Sequence, residues 1–187
     1  MSSSLKRALV LLANGAEEME AVISIDVMRR AEIEVTVAGV DASDKIMCSR
    51  GVCIIPDVDL QTAIEAAPYD AVVMPGGLKG ATTLAESDGV KKLLEMQIQH
   101  TNLIGAICAA PIALKSHNIK PGSNITSHPS LKDKLEGYIY SEARVVKDNK
   151  LITSRGPGTS FEFALELVEM LKGKEVRDKI SGPMVLA

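Results

Sequence analysis

Short aliphatic runs recur along the chain, each ending in small or glycine-containing residues and followed by a longer segment with helical spacing. The runs at 7–13, 33–38, 71–74, 103–107 and 151–154 are predicted strands, and 16–30, 59–66, 88–99, 109–116 and 160–172 are predicted helices. This alternation predicts an α/β fold, a mostly parallel sheet with helices on both faces. Residues 48–55 and 138–146 read as smaller, antiparallel pieces. No internal repeat, low-complexity stretch or linker interrupts the pattern, so residues 1–187 are expected to form a single domain.

Two helices are more apolar than a single buried face requires. In 160–172, Glu162, Glu166 and Glu169 form a narrow polar stripe, while Phe161, Phe163, Leu165, Leu167, Val168, Met170 and Leu171 cover the rest. The first helix carries Met19, Val22, Ile23, Ile25, Val27 and Met28, with Arg29 and Arg30 placed to offset its C-terminal dipole. The pattern fits a homodimer or a helix fully covered within a monomer.

Composition narrows the function classes. With 46% hydrophobic residues among 187 and a mean hydropathy of +0.13, the chain can bury one substantial core. A net charge of −3 and no basic block with interleaved aromatics argue against nucleic-acid binding. Three cysteines, an odd number, argue against a disulfide framework and for a reducing compartment. Lys6-Arg7 before Ala8–Ala13 superficially has the form of a signal peptide, but Glu17 and Glu18 follow closely and a first strand explains it better. No run approaches the roughly 18 apolar residues of a membrane span. A soluble intracellular protein is expected.

In an open parallel sheet, ligands bind outside the carboxyl ends of the strands. The predicted strands deliver four features there: Asn14–Glu20, Pro75-Gly76-Gly77, Cys108, and Arg155–Ser160. Cys108 joins an apolar strand directly to a helix, the geometry of a nucleophile elbow. Helix N–H groups beside the sulfur would favour thiolate, whereas the alternative is a small buried hydrophobe. The N–H groups of Gly76, Gly77 and Ala109 could bind an oxyanion, or the Gly pair could be a tight turn. Gly156-Pro157-Gly158 with Thr159-Ser160 reads as a pocket wall ending in a helix N-cap. Helix capping accounts for two of Glu17, Glu18 and Glu20, and the third could exchange protons with the thiol. His100 and His117 are expected at the surface, and His128 lies in a loop that could fold back over the thiol. Cys48 and Cys53 lack metal-ligand spacing, and no phosphate-binding glycine motif is present, so no metal or cofactor is expected.

Several segments together resemble the ThiJ/PfpI superfamily, specifically its parkinsonism-associated protein deglycase branch. They are Gly15–Glu20, Asp26–Ala31, Val35–Gly39, Cys48–Arg50, Met74–Gly77, Ala106–Pro111 and Ile152–Ala164. The resemblance implies a flavodoxin-like sandwich, a homodimer, an oxidisable nucleophile at Cys108 and an acid at Glu20. It also implies His128 as pocket partner, Gly76, Gly77 and Ala109 as N–H lining, and Arg50 and Pro157 near the pocket or dimer seam. Cys48 matches a second oxidisable cysteine, whereas Cys53 is displaced by two residues from the family's other cysteine, whose place Ile55 holds. Cytosolic, nuclear and mitochondrial pools are implied as well. Superfamily peptidases place a His directly after the nucleophile, where this chain has Ala109, and class I glutamine amidotransferases need a downstream His-x-Glu pair that is missing here. Two functions are therefore expected. One is cofactor-free glyoxalase or protein deglycase chemistry on methylglyoxal-type 2-oxoaldehydes and their adducts. The other is a redox sensor and redox-regulated chaperone in which Cys108 oxidises to sulfinate.

Overall fold

The computed structural model describes residues 5–42 and 44–186. In chain order the strands are β1 (Arg7–Leu12), β2 (Glu34–Gly39), β3 (Ile46–Met47), β4 (Cys53–Ile54), β5 (Val58–Asp59), β6 (Ala71–Met74), β7 (Leu103–Ile107), β8 (Asn124–Ile125), β9 (Ile139–Tyr140), β10 (Val145–Asp148) and β11 (Leu151–Ser154). The α-helices are α1 (Glu18–Arg30), α2 (Leu60–Glu65), α3 (Leu78–Glu86), α4 (Asp88–Gln99), α5 (Pro111–Ser116), α6 (Ser160–Lys172) and α7 (Lys174–Ser181). The main sheet has the order β10-β11-β7-β6-β1-β2-β5 and is parallel except for β10 at one edge. Helices cover both faces, giving the flavodoxin-like sandwich.

Alternation along the strands divides the core. Ala8, Val10 and Leu12 of β1, with Ala71 and Val73 of β6, face one side together with Val27 and Met28 of α1 and Phe163, Leu167 and Val168 of α6. Leu9, Leu11, Val72, Met74 and Ile104 face the other, with Leu93 and Leu94 of α4. Gly105 lets α6 approach the sheet: a Cβ there would lie 3.0 Å from both Leu167 and Phe163.

The structure revises several boundaries. Residues 48–55 contribute one arm of an antiparallel β3–β4 hairpin, but 138–146 splits: β9 pairs in parallel with β8, and only β10 is antiparallel. The predicted first helix begins at Glu18 because Glu17 is its cap. The helix after Cys108 begins at Pro111, leaving Cys108–Ala110 as a turn. Helix α3 escapes the pattern because Gly80, Thr82 and Thr83 are poor helix formers, and polar α7 has no buried residue. α6 packs against α1, β7, β11 and α7, which buries Phe163, Leu165, Leu167 and Val168 and leaves Phe161 42% exposed. His117 is 8% exposed rather than on the surface, and its Nε2 lies 2.9 Å from Leu84 O, where the end of α5 meets α3.

Gly80 is glycine because α3 lies against the turn after β1: a Cβ would come within 2.8 Å of Ala16 N and 2.9 Å of its Cα. Gly→Ala inside an exposed helix stabilises by about 1 kcal/mol. Here the sign should reverse, with Gly80→Ala destabilising by about 1–3 kcal/mol, measured as a lower urea midpoint.

Candidate active site

The carboxyl ends of β1, β6, β7 and β11 converge on Cys108. Its φ is +63°, a left-handed conformation that costs a residue with a Cβ about 1–2 kcal/mol. This turn ends β7 sharply and is held at both sides: Cys108 N–H donates to Ser154 O at 2.9 Å, and Cys108 O accepts His128 N–H at 2.8 Å. The cysteine is only 9% exposed.

The three glutamates separate into three tasks. Glu17 caps α1, its Oε2 accepting the Glu20 N–H at 2.8 Å, and its side chain lines the cleft. Glu18 clamps the β3–β4 turn, accepting Ser49 Oγ at 2.8 Å and Arg50 N–H at 2.7 Å. Burial raises the Glu18 pKa, but these and other hydrogen bonds outweigh it and hold the group below the ordinary value. Glu20, with no exposed surface, points at Cys108. Its Oε2 accepts the Gly76 N–H at 2.7 Å, while Oε1 is buried with no hydrogen-bond partner of good geometry.

Gly76 permits this meeting. A Cβ at Gly76 would lie 2.7 Å from Cys108 Cβ, 2.8 Å from Ala109 N and 2.8 Å from Glu20 Oε2. Gly76 therefore gives its N–H to Glu20 instead of leaving it for an oxyanion, which corrects that expectation. The N–H groups of Gly77 and Ala109 are the ones directed at the sulfur. Gly77 also makes the turn into α3 at φ +81°, where a Cβ would strike Gly15 O at 2.2 Å.

Electrostatics here correct a second expectation. Burial pushes Glu20 up to about 7; the Gly76 and Cys108 hydrogen bonds oppose this, and the nearby Glu17 charge adds to it. Burial, and then the Glu20 charge and hydrogen bond, push the Cys108 thiol up to about 12 against the pull of the Gly77 and Ala109 N–H groups. The backbone N–H groups thus do not make a free thiolate by themselves. Glu20 and Cys108 form a coupled pair: a proton on Glu20 removes the repulsion and supplies a donor for the sulfur.

The cleft over the thiol has a volume of about 420 Å3. Arg50, Gly77, Ala109, His128 and Pro157 line it, as does Glu17, one of the three glutamates offered to the thiol, and so do Ser49, Leu78, Ser130 and Leu131, which sequence reasoning did not single out for the pocket. Leu78 adjoins a predicted feature, but Ser130 and Leu131 arrive through a short 3-10 turn with no distinctive motif. The His128 backbone reaches Cys108 and its side chain lines the cleft with Nδ1 engaged: Nδ1 accepts the Ser130 N–H at 3.3 Å and lies 2.8 Å from Ser130 Oγ. Thr159 does not cap α6 with its side chain. Its Oγ1 instead takes the Gly156 N–H at 3.1 Å and lies 2.6 Å from Ser154 Oγ, shaping the turn that presents Pro157. Cys48 is buried, and burial with the Glu18 charge pushes its thiol up to about 11, whereas Cys53 is exposed.

The site is thus a cysteine elbow facing a buried carboxyl at the carboxyl edge of a mostly parallel α/β sandwich. The chain belongs to the DJ-1/PfpI family, whose model matches residues 6–170. It is 56% identical over 184 residues to the Parkinson disease protein 7 homolog of Danio rerio, covering 97% of each chain. The Caenorhabditis elegans protein named glutathione-independent glyoxalase DJR-1.2 is 40% identical over 185 residues, again covering 97% of each. The crystal structure of Drosophila melanogaster DJ-1beta superposes with a TM-score of 0.95 at 48% identity, covering 98% of this chain and 99% of that one.

Glu20 binds its proton more tightly folded than unfolded, so its contribution favours folding below about 4.5 and is lost as pH rises through about 7. Glu20→Gln should flatten the fall in melting temperature across that window. An unchanged slope in scanning calorimetry would contradict a buried, proton-holding Glu20.

Proposed function

We propose that this protein is a glutathione-independent glyoxalase acting on small 2-oxoaldehydes such as methylglyoxal. The observation that carries the reading is the buried Glu20 carboxyl, pushed up to about 7 beside an elbow cysteine in a small cleft. The name and 40% identity of the Caenorhabditis elegans relative support it.

The chemistry needs no external reductant or oxidant. Cys108 sulfur adds to the aldehyde carbon while Glu20 relays the thiol proton to the aldehyde oxygen, forming a hemithioacetal. Glu20 then moves the proton of that carbon to the neighbouring ketone oxygen, giving an enediol, and moves the proton of the first hydroxyl to the former ketone carbon, so the pair becomes a 2-hydroxy thioester. Water hydrolyses the thioester, releasing the 2-hydroxy acid and restoring the thiol. The Gly77 and Ala109 N–H groups are placed to bind negative charge near the sulfur. Gly76 orients Glu20, Arg50 and Pro157 bound the cleft, and His128 is assigned to its wall. Protein deglycase activity would use the same attack on early aldehyde adducts of side chains, which share the free aldehyde by equilibrium.

A second reading has its own observation. The unpartnered Glu20 Oε1 could donate, when protonated, to an oxygen of a Cys108 sulfinate, favouring that oxidation state and hence a redox sensor. Cys48 is distinguished by its neighbour: it faces Glu18, held below its ordinary value, rather than a proton-holding carboxyl such as Glu20.

The homodimer belongs to the same proposal. Met19 and Val22 of α1, and Met47 and Val52 of the β3–β4 hairpin, are each about half exposed, at 52%, 49%, 47% and 47%. They supply apolar surface for a second copy. Among the described residues, no helix is long and apolar enough to cross a membrane.

Lactate should form from methylglyoxal without glutathione in the wild type, and Cys108→Ser and Glu20→Ala should each lose at least about 100-fold in kcat. Full turnover by Cys108→Ser would end the nucleophile mechanism. Wild type giving no lactate, with Cys108 readily oxidised by peroxide in mass spectra, would favour the sensor. Val22→Arg should shift the sedimentation coefficient to that of a monomer, and a mass unchanged from the wild-type dimer would remove α1 from the interface.

A further inference from the structure

The strained Cys108 turn is held through its backbone, and the groups that hold it are tied together by one side chain. Cys108 N–H bonds to Ser154 O, and Cys108 O bonds to His128 N–H. Ser154 ends β11, while His128 closes the segment after β8. Thr153, the residue before Ser154, accepts the Thr126 N–H on its Oγ1 at 2.8 Å, and neither Thr153 nor Thr126 has exposed surface. The bonds close a ring through Cys108, Ser154, Thr153, Thr126, Ser127 and His128.

We propose that Thr153 is a positioning residue for the reacting thiol: its hydroxyl locks β11 to the 126–128 segment and so fixes the left-handed Cys108 backbone that aims the sulfur at Glu20. Two backbone bonds on opposite sides of Cys108 resist relaxation only while their partners stay at a fixed separation. The Thr153–Thr126 bond sets that separation. Other contacts in this neighbourhood do different work. Tyr140 Oη donates to Ser127 O at 3.2 Å and holds the segment from its far side, without reaching β11. Ser154 Oγ donates to Arg144 O at 2.7 Å and lies beside Thr159 Oγ1, supporting the Pro157 turn. Among the described residues, the Thr153 hydroxyl makes the side-chain hydrogen bond that couples the two groups gripping the cysteine peptide. Replacing its acceptor with a methyl would also strand a buried N–H on Thr126, so the segment gains by moving away.

The inference rests on Cys108 as the reacting atom, but not on a particular substrate. Its test is the rate at which iodoacetamide alkylates Cys108 as a function of pH, compared among wild type, Thr153→Val and Thr153→Ser. Valine keeps the shape and removes the acceptor, whereas serine keeps the acceptor. Thr153→Val should change the alkylation rate by about tenfold and displace its pH profile, because sulfur and Glu20 no longer hold their relation; Thr153→Ser should stay within about threefold. In methylglyoxal turnover the valine variant should lose kcat more than it changes KM. A folded Thr153→Val with the wild-type rate and profile would overturn the proposal, as would Thr153→Ser as altered as Thr153→Val. If Thr153→Val does not fold, hydrogen exchange of the wild type decides: Thr126 and His128 amides should be protected like those of β7, and fast exchange at either would overturn it. Alkylation needs no turnover, so a wild type that forms no lactate ends the glyoxalase reading while leaving this test intact.

Discussion

The site depends on a place where no side chain can fit. At Gly76, the elbow cysteine, the N–H after it and the carboxylate of α1 all crowd the position a Cβ would take. With that position empty, Glu20 reaches the Gly76 N–H and the thiol together. A carboxyl there has lost its water and gained few donors, so it holds a proton near neutrality. The fold brings β1, β6 and β7 side by side, and the loops at their carboxyl ends supply the three parts.

Electrostatic balance gives the cysteine its character. A helix N-terminus is often invoked to explain an acidic thiol. In this molecule α5 starts only at Pro111, and the two N–H groups near the sulfur oppose both its burial and the Glu20 charge. The proton affinities of carboxyl and sulfur therefore belong to the pair rather than to either group alone. Both functional readings draw on the Glu20 proton, which is why the same geometry accommodates them.

The neighbouring glutamates show how identical side chains acquire different work from the helix they begin. Glu17 precedes the first turn and folds back to cap it; Glu18 emerges on the hairpin side and fixes Ser49 and Arg50; Glu20 turns inward. Arg50 reaches the cleft because Glu18 holds its backbone, so a loop residue inherits its position from a buried carboxylate.

The alternating aliphatic runs determined the parallel sheet and the helices on both faces, because strand burial and helical periodicity are written in local order. The apolar strand running straight into small residues likewise marked Cys108 as an elbow, and the resemblance singled out Glu20. Other features needed the folded chain. Helix α3 forms despite weak propensity because it packs on Ala16, a contact between residues distant in sequence. Which glutamate meets the sulfur, where the Gly76 N–H goes, and the contact of His128 Nδ1 with Ser130 depend on directions in space that spacing does not encode. The sequence by itself determined the layers and the turn at Cys108; tertiary structure decided the proton affinities and hydrogen-bond partners, because burial and long-range approach exist only after the strands have been brought together.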